Sequence, residues 1–180
     1  MSPRIAPASA PYPPAIARTL DQLKTPGEQP LSLFRTLARD ARLFARFTGG
    51  GLLDPGHLTL GEREIVVHRT CALNGCAYEW GVHAAIFADA AGLDAERLTA
   101  TVASGIAPCW SPREALLIAF CDAVNTRADI DDVLWNRLAD AFSEEARIEL
   151  MMLAGFYRTV SLLANGLRLA PEDFAAPFPA

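Results

Sequence analysis

Residues 61–92, GEREIVVHRTCALNGCAYEWGVHAAIFADAAG, set two helical stretches on either side of a two-residue turn. The second stretch is apolar on nearly every face. Between Cys76 and Ala91 the only ionisable side chains besides Cys76 and Tyr78 are Glu79, His83 and Asp89. A helix apolar all round cannot lie on a solvated surface; it belongs in a core or at a subunit interface. Asn74-Gly75 closes the first helix, because glycine accepts a left-handed cap at little cost. The pair is therefore expected to form an antiparallel helix hairpin that the remaining chain must cover.

That cover is written in the same period. Leu31 to Thr48 places Leu33, Phe34, Leu37, Ala41, Phe44 and Ala45 at helical spacing. Further helices are expected over Ile16–Lys24, Asp94–Ser104, Ser111–Thr126 and Asp131–Phe142, followed by a long one that Ser143 caps and that reaches about Leu167. Hairpin signals and internal repeats are missing, so the fold class is all-α: a single-domain helical bundle around a central helix hairpin. The chain of 180 residues, 51% hydrophobic and 21% charged, has material for one full core. The expected organisation is an N-terminal arm with a short helix over 1–29, a helical domain over 30–170 and a C-terminal arm over 171–180. The arms, rich in proline, either wrap a partner subunit or fray.

Several function classes drop out on charge and pattern. A net charge of −5 without a clustered basic face argues against nucleic acid. No apolar run approaches the ~20 residues of a bilayer span, and the opening MSPRIAPASAPYPP lacks the apolar centre of a secretory signal. A soluble, cytoplasmic protein is expected. The cysteines Cys71, Cys76, Cys109 and Cys121 include no CxxC and no finger-type pairing; Cys109 and Cys121 read as buried structural residues.

The chemistry concentrates in the hairpin. Glu79 and His83 are four apart and share a face with Ile86, Phe87 and Ala90, so two polar groups point into apolar surroundings. Glu64 lies on a stripe with Val67, His68 and Cys71 and can approach them across the seam. Carboxylates and an imidazole enclosed together are groups whose proton affinities shift and which move protons. Glu64, Glu79 and His83 also make a conceivable facial set for a divalent metal. Tyr78, Trp80 and His68 are candidates for substrate contact, against an ordinary core role. Asn165 reads as a helix cap and His57 as solvated, while Arg35, Arg69 and Arg158 are candidate anion contacts.

Eleven residues separate Glu64 from Cys76, and Cys76-Ala77-Tyr78-Glu79-Trp80-Gly81-Val82-His83 follows. This pattern resembles the Glu-x11-Cys-x-x-Cys-x3-His signature of the carboxymuconolactone decarboxylase / AhpD-like superfamily, in its YEWxxH branch. The resemblance implies an AhpD-like helical fold, assembly as a homo-oligomer (trimer or hexamer) and no organic cofactor. By position, Glu64 matches the family's general base, Cys76 its first cysteine and His83 its terminal histidine. Glu79 stands where the second cysteine would be, and a carboxylate cannot resolve a disulfide. Three readings follow. The first is a decarboxylase-like or isomerase-like enzyme using acid/base chemistry on a small carboxylated ring or lactone, with Glu64, Glu79 and His83 catalytic. The second is a thiol peroxidase acting through Cys76, which lies at a helix start that favours thiolate. The third is a non-catalytic binding or assembly module.

Overall fold

The computed structural model describes residues 2–23, 26 and 29–179. Among them the secondary structure is entirely helical: α1 (Pro14–Gln22), α2 (Ser32–Leu37), α3 (Ala41–Thr48), α4 (Leu60–Leu73), α5 (Ala77–Phe87), α6 (Ala95–Val102), α7 (Pro112–Arg127), α8 (Asp132–Ala141) and α9 (Glu144–Leu167). The expected all-α class is what is observed. The Lys24, Thr25 and Gly27 end assigned to the first helix lies outside the described residues.

Helix α4 is the hub. It is buried without interruption from Glu62 to Cys71, and it packs against α5, α6, α7 and α9. Its start is fixed by a capping box in which the Thr59 side chain accepts from the Glu62 amide while Glu62 reaches back to the Thr59 amide. Its end is a Schellman motif: Gly75 takes φ +59°, its amide donates to Ala72 O at 3.0 Å, and the Cys76 amide donates to Cys71 O at 2.8 Å. This turn reverses the chain into α5 and makes the expected hairpin. Helix α7 begins with a second capping box, Ser111 with Glu114, and Pro112 in its first turn. Helix α9 starts at Ser143, whose side chain accepts from the Ala146 amide. It is long and apolar enough to cross a membrane, but Leu150, Leu153, Ala154, Tyr157, Val160, Ser161 and Ala164 form one buried stripe against the hub, the signature of a core helix.

One expectation is corrected. The stretch Leu31–Thr48 is two helices, because Asp40 takes an extended conformation and its carboxylate caps the Leu43 amide, starting α3 afresh. The described parts of both arms are docked on the helices of the chain itself. The Arg4 amide donates to Leu167 O and the Ala8 amide to Arg35 O. In the C-terminal arm, Glu172 accepts from the Ser32 amide and the Tyr78 hydroxyl, the Ala176 amide donates to Gly81 O at 2.9 Å, and Phe178 stands edge-on to Trp80 at 5.4 Å.

Gly81 makes the last docking possible, since a Cβ there would collide with the Ala176 carbonyl. Gly81→Ala is expected to lift the C-terminal arm and destabilise the protein by about 1–3 kcal/mol. Limited proteolysis should then cut beyond Pro171, with the helical circular dichroism kept; an arm as resistant as the wild type's would contradict this account.

Candidate active site

Three helices bring their polar groups to one point inside the bundle. Glu64 comes from α4, Glu79 and His83 from α5, and Tyr157 from α9. Glu64 is completely enclosed, and His83 and Glu79 are nearly so. The His83 imidazole stands between them: Nδ1 lies 2.8 Å from Glu64 Oε2, and Nε2 lies 3.1 Å from the Tyr157 hydroxyl and 3.4 Å from Glu79 Oε1. Arg63 closes the far side of Glu64 through Nη2, 3.0 Å from Oε1, and its guanidinium sits 5.3 Å from the centre of the Phe87 ring.

Burial alone would discharge the imidazole, but the Glu64 carboxylate and then Glu79 outweigh it, pushing His83 up to about 9. Burial likewise opposes ionisation of Glu64, yet the His83 imidazolium and the Arg63 guanidinium hold its carboxyl below the ordinary value. The centre is thus an imidazolium–carboxylate pair at neutral pH, with both ring N–H groups donating. His68 behaves in the opposite way. Burial first, and then the charge on His83, pull it down to about 4, so it is neutral.

A narrow apolar cleft reaches this centre from the side of α2, α3 and α9. Leu31, Leu33, Phe34, Phe47, Phe156 and Val160 contribute to its wall, and Glu79 and Tyr157 are its only ionisable lining residues among those described. Its interior space is about 50 Å³, room for a few waters. Glu79 Oε2 is buried with no hydrogen-bond partner, although buried carboxylate oxygens are ordinarily satisfied. A base with an unsatisfied oxygen in an apolar cleft is equipped to take a proton from a bound molecule.

Of the residues singled out from sequence, Glu64, Glu79 and His83 converge. Cys76, also fully buried, is the N-cap of α5 and lies against Cys71 and Ser161. The other three occupy structural positions away from the cleft. Tyr78 donates to Glu172 and accepts from the Leu33 amide. Trp80 Nε1 donates to Thr101 Oγ1 at 3.0 Å. His68 Nδ1 bonds the Glu64 carbonyl at 2.7 Å, and its ring stands edge-on to Trp80. The two carboxylates address opposite nitrogens of the His83 ring, Glu64 at Nδ1 and Glu79 at Nε2. The candidate arginines lie elsewhere: Arg35 bonds Ala8 O, Arg69 pairs with Asp122, and Arg158 donates to Asn125 O. Asn165 donates to Asn74 O, tying α9 to the hairpin turn, while Arg168 is the helix cap. Cys121 is buried as expected and Cys109 only partly so. The residue missed is Tyr157. Its signal was a phenol on the largely apolar inner stripe of α9, where Ser161 is the other hydroxyl.

Residues 41–123 match the carboxymuconolactone decarboxylase family. The matched segment carries the helix hairpin with Glu64, Glu79 and His83. No curated protein sequence matches the chain, but solved structures do over nearly its whole length. An uncharacterized peroxidase-related protein from Ralstonia eutropha JMP134, described as an alkylhydroperoxidase AhpD core, has a TM-score of 0.81 at 22% identity, covering 94% of this chain and 93% of its own. A second uncharacterized peroxidase-related protein, from Silicibacter sp. TM1040, has a TM-score of 0.78 at 17% identity over 96% and 95%. The debrominase Bmp8 has a TM-score of 0.78 at 15% identity over 94% and 92%. At these identities the likeness establishes the AhpD-like helical fold that surrounds the family segment.

The charge pattern of this site dictates a stability profile. His83, raised from 6.5, contributes stability that is complete below pH 6.5 and lost as pH climbs through about 9. His68, lowered from 6.5, must stay neutral in the native state, so stability is lost as pH falls from 6.5 towards about 4. Glu64, lowered from 4.5, adds a loss on further acidification. Chemical denaturation across pH should show a maximum near neutrality, and His83→Gln should flatten its alkaline limb. A wild-type profile level from pH 5 to 9.5 would contradict the charge assignment.

Proposed function

We propose that the protein is an acid/base enzyme that moves a proton on a small, largely apolar ring or lactone compound, using its own side chains and no organic cofactor. The observation that carries the reading is the unpartnered Oε2 of Glu79 in an apolar cleft that the Tyr157 hydroxyl also lines. With both His83 nitrogens protonated, Nε2–H is donated to Tyr157 and Glu79, so the tyrosine keeps its own proton to donate. The cleft then offers a bound molecule an acceptor and a hydroxyl donor side by side. Removal of a proton next to a carbonyl needs that pair, a base for the carbon acid and a donor for the oxygen on which charge develops. Returning the proton at another carbon completes an isomerisation. In a decarboxylation, the same carboxyl group would protonate the carbon that loses CO₂.

The roles differ from those expected at first. Glu64 is sealed behind the imidazole, so its work is to hold His83 charged and oriented rather than to serve as a second base. His83 relays and positions; Glu79 is the group that meets the substrate. None of the candidate arginines lines the cleft, which favours a carbonyl or lactone as the recognised group over a free carboxylate. The neighbours' described reactions, peroxidase-related and debrominating, accompany the fold and are not carried over to this site. Assembly into a trimer or hexamer is part of the proposal, and neither nucleic acid nor a membrane is expected as a partner.

The test is deuterium incorporation from D₂O into a panel of small lactones and cyclic ketones, followed by NMR. Wild-type protein should accelerate exchange of at least one member. Glu79→Gln should slow it about 10²–10⁴-fold, and Tyr157→Phe should lower it while preserving the fold. Full exchange in Glu79→Gln, or no exchange with any panel member, would sink the reading.

A further inference from the structure

The cleft is too small for a ring. Its interior space is about 50 Å³, whereas a benzene-sized molecule occupies a cavity of about 150 Å³. No lactone or cyclic ketone reaches Glu79 unless a wall moves. Most of the wall is fixed: Leu31 and Leu33 are core residues, and Tyr157 and Val160 belong to the buried stripe of α9. The exception is the connection from α3 to α4, which contributes Gly51 and Leu53 to the lining. Residues 53–57 of this connection are all exposed, and a segment with few buried contacts opens at low cost. An open groove of about 330 Å³ lies on its outer side, between Leu52 and His57 of the connection and Ile148 and Met152 of α9.

The connection is also built to pivot and to be held. Gly49, Gly50 and Gly51 stand at its near end, where backbone freedom lets a few residues absorb a hinge rotation. Beside them Leu52 has φ +50°, a strained conformation that persists only while neighbouring contacts impose it. Two such contacts are present. Arg63 Nη1 donates to Leu53 O at 2.9 Å, and the His57 amide donates to Glu149 Oε2 at 2.6 Å. Gly56 makes room for that carboxylate, which a Cβ would strike.

We propose that residues 49–58 form a lid over the Glu79 cleft, hinged at the three glycines, and that Leu53 is the gate residue that decides which rings enter. The identity of the occupant rests on the acid/base reading above. Leu53 lines the cleft and is still 40% exposed, so its side chain stands at the mouth. Arg63 ties the lid to the charged centre, because Nη2 holds Glu64 while Nη1 holds the Leu53 carbonyl. Arg63 is itself buried, and a buried donor without an acceptor is costly. Closure gives Nη1 its acceptor, which makes the closed lid the resting state. Opening withdraws Leu53 from the mouth and admits a single six-membered ring; a fused pair of rings still meets the leucine.

Amide hydrogen exchange of the intact protein, read by mass spectrometry with no ligand present, tests the lid alone. Peptides covering 49–58 should exchange at least about tenfold faster than those of α4, and Glu149→Ala should speed the lid further while leaving α4 unchanged. Saturation-transfer NMR with cyclohexanone and the fused two-ring ketone α-tetralone then tests the gate. Wild-type protein should bind cyclohexanone only, Leu53→Ala should bind both, and Leu53→Trp should bind neither. Lid amides as slow as those of α4, or the same response to the two ketones in all three proteins, would overturn the proposal. Binding in the expected pattern without deuterium uptake by any lactone or ketone would instead defeat the acid/base reading and leave the lid standing.

Discussion

The buried pair between Glu64 and His83 is the constraint on which the rest of the structure depends. Two charges held in an apolar interior are tolerated only when each is fully hydrogen-bonded, and removing one partner typically costs about 3–5 kcal/mol because the other is stranded. The fold supplies the required neighbours from three directions: Arg63 and the carboxylate itself on α4, the imidazole on α5, and the Tyr157 hydroxyl on α9. These contacts set the register between the hairpin and the long core helix. Slide α9 by one residue and Tyr157 turns away, leaving the Nε2 proton without its closest acceptor. The geometry that presents Glu79 to the cleft is therefore a by-product of satisfying a buried ion pair.

The hairpin and its chemical content were legible in the sequence because they are local. Asn74-Gly75 between two helical runs fixes the turn, and the spacing from Glu79 to His83 fixes a shared face, whatever the surrounding fold. The convergence of Glu64 on His83 needed only the hairpin. What could not be read depends on partners distant along the chain. Tyr157 lies 74 residues beyond His83, and nothing in its neighbourhood distinguishes a tyrosine facing an imidazole from one facing a void. Tyr78 and Trp80 look like substrate-binding aromatics in the motif, yet each polar tip is already engaged, by Glu172 and by Thr101. The break between α2 and α3 was hidden for a different reason. Asp40 interrupts an apolar period that continues across it, and a polar residue every third or fourth position is also what an uninterrupted amphipathic helix shows.

The arms show how the helical period can understate a chain's organisation. Their prolines remove amide donors and fix extended backbone, so they carry no periodic signal. Even so, the C-terminal one is held by a carboxylate, a backbone amide and an aromatic ring. Its contacts at Tyr78, Gly81 and Trp80 all fall on α5, the helix that bears Glu79 and His83. The arm thus covers the side of α5 that the hub leaves open, and so removes water from the back of the reactive helix.

The replacement of a second motif cysteine by Glu79 ties these observations together. Had a thiol stood at that position, the pair CxxC would have occupied one turn of α5, and proton handling would have fallen to the histidine alone. A carboxylate there changes the electrostatics in two ways. It gives His83 a second acidic neighbour, which helps to keep the imidazole charged, and it sets a negative group near Cys76 that works against the thiolate. Since the Cys76 anion is nonetheless favoured, the thiol of Cys71 and the amide at the start of α5 must together exceed that repulsion. The turn that reverses the chain supplies both. A single Schellman motif thereby shapes the hairpin, brings Cys71 and Cys76 together and starts the helix that carries Glu79 and His83.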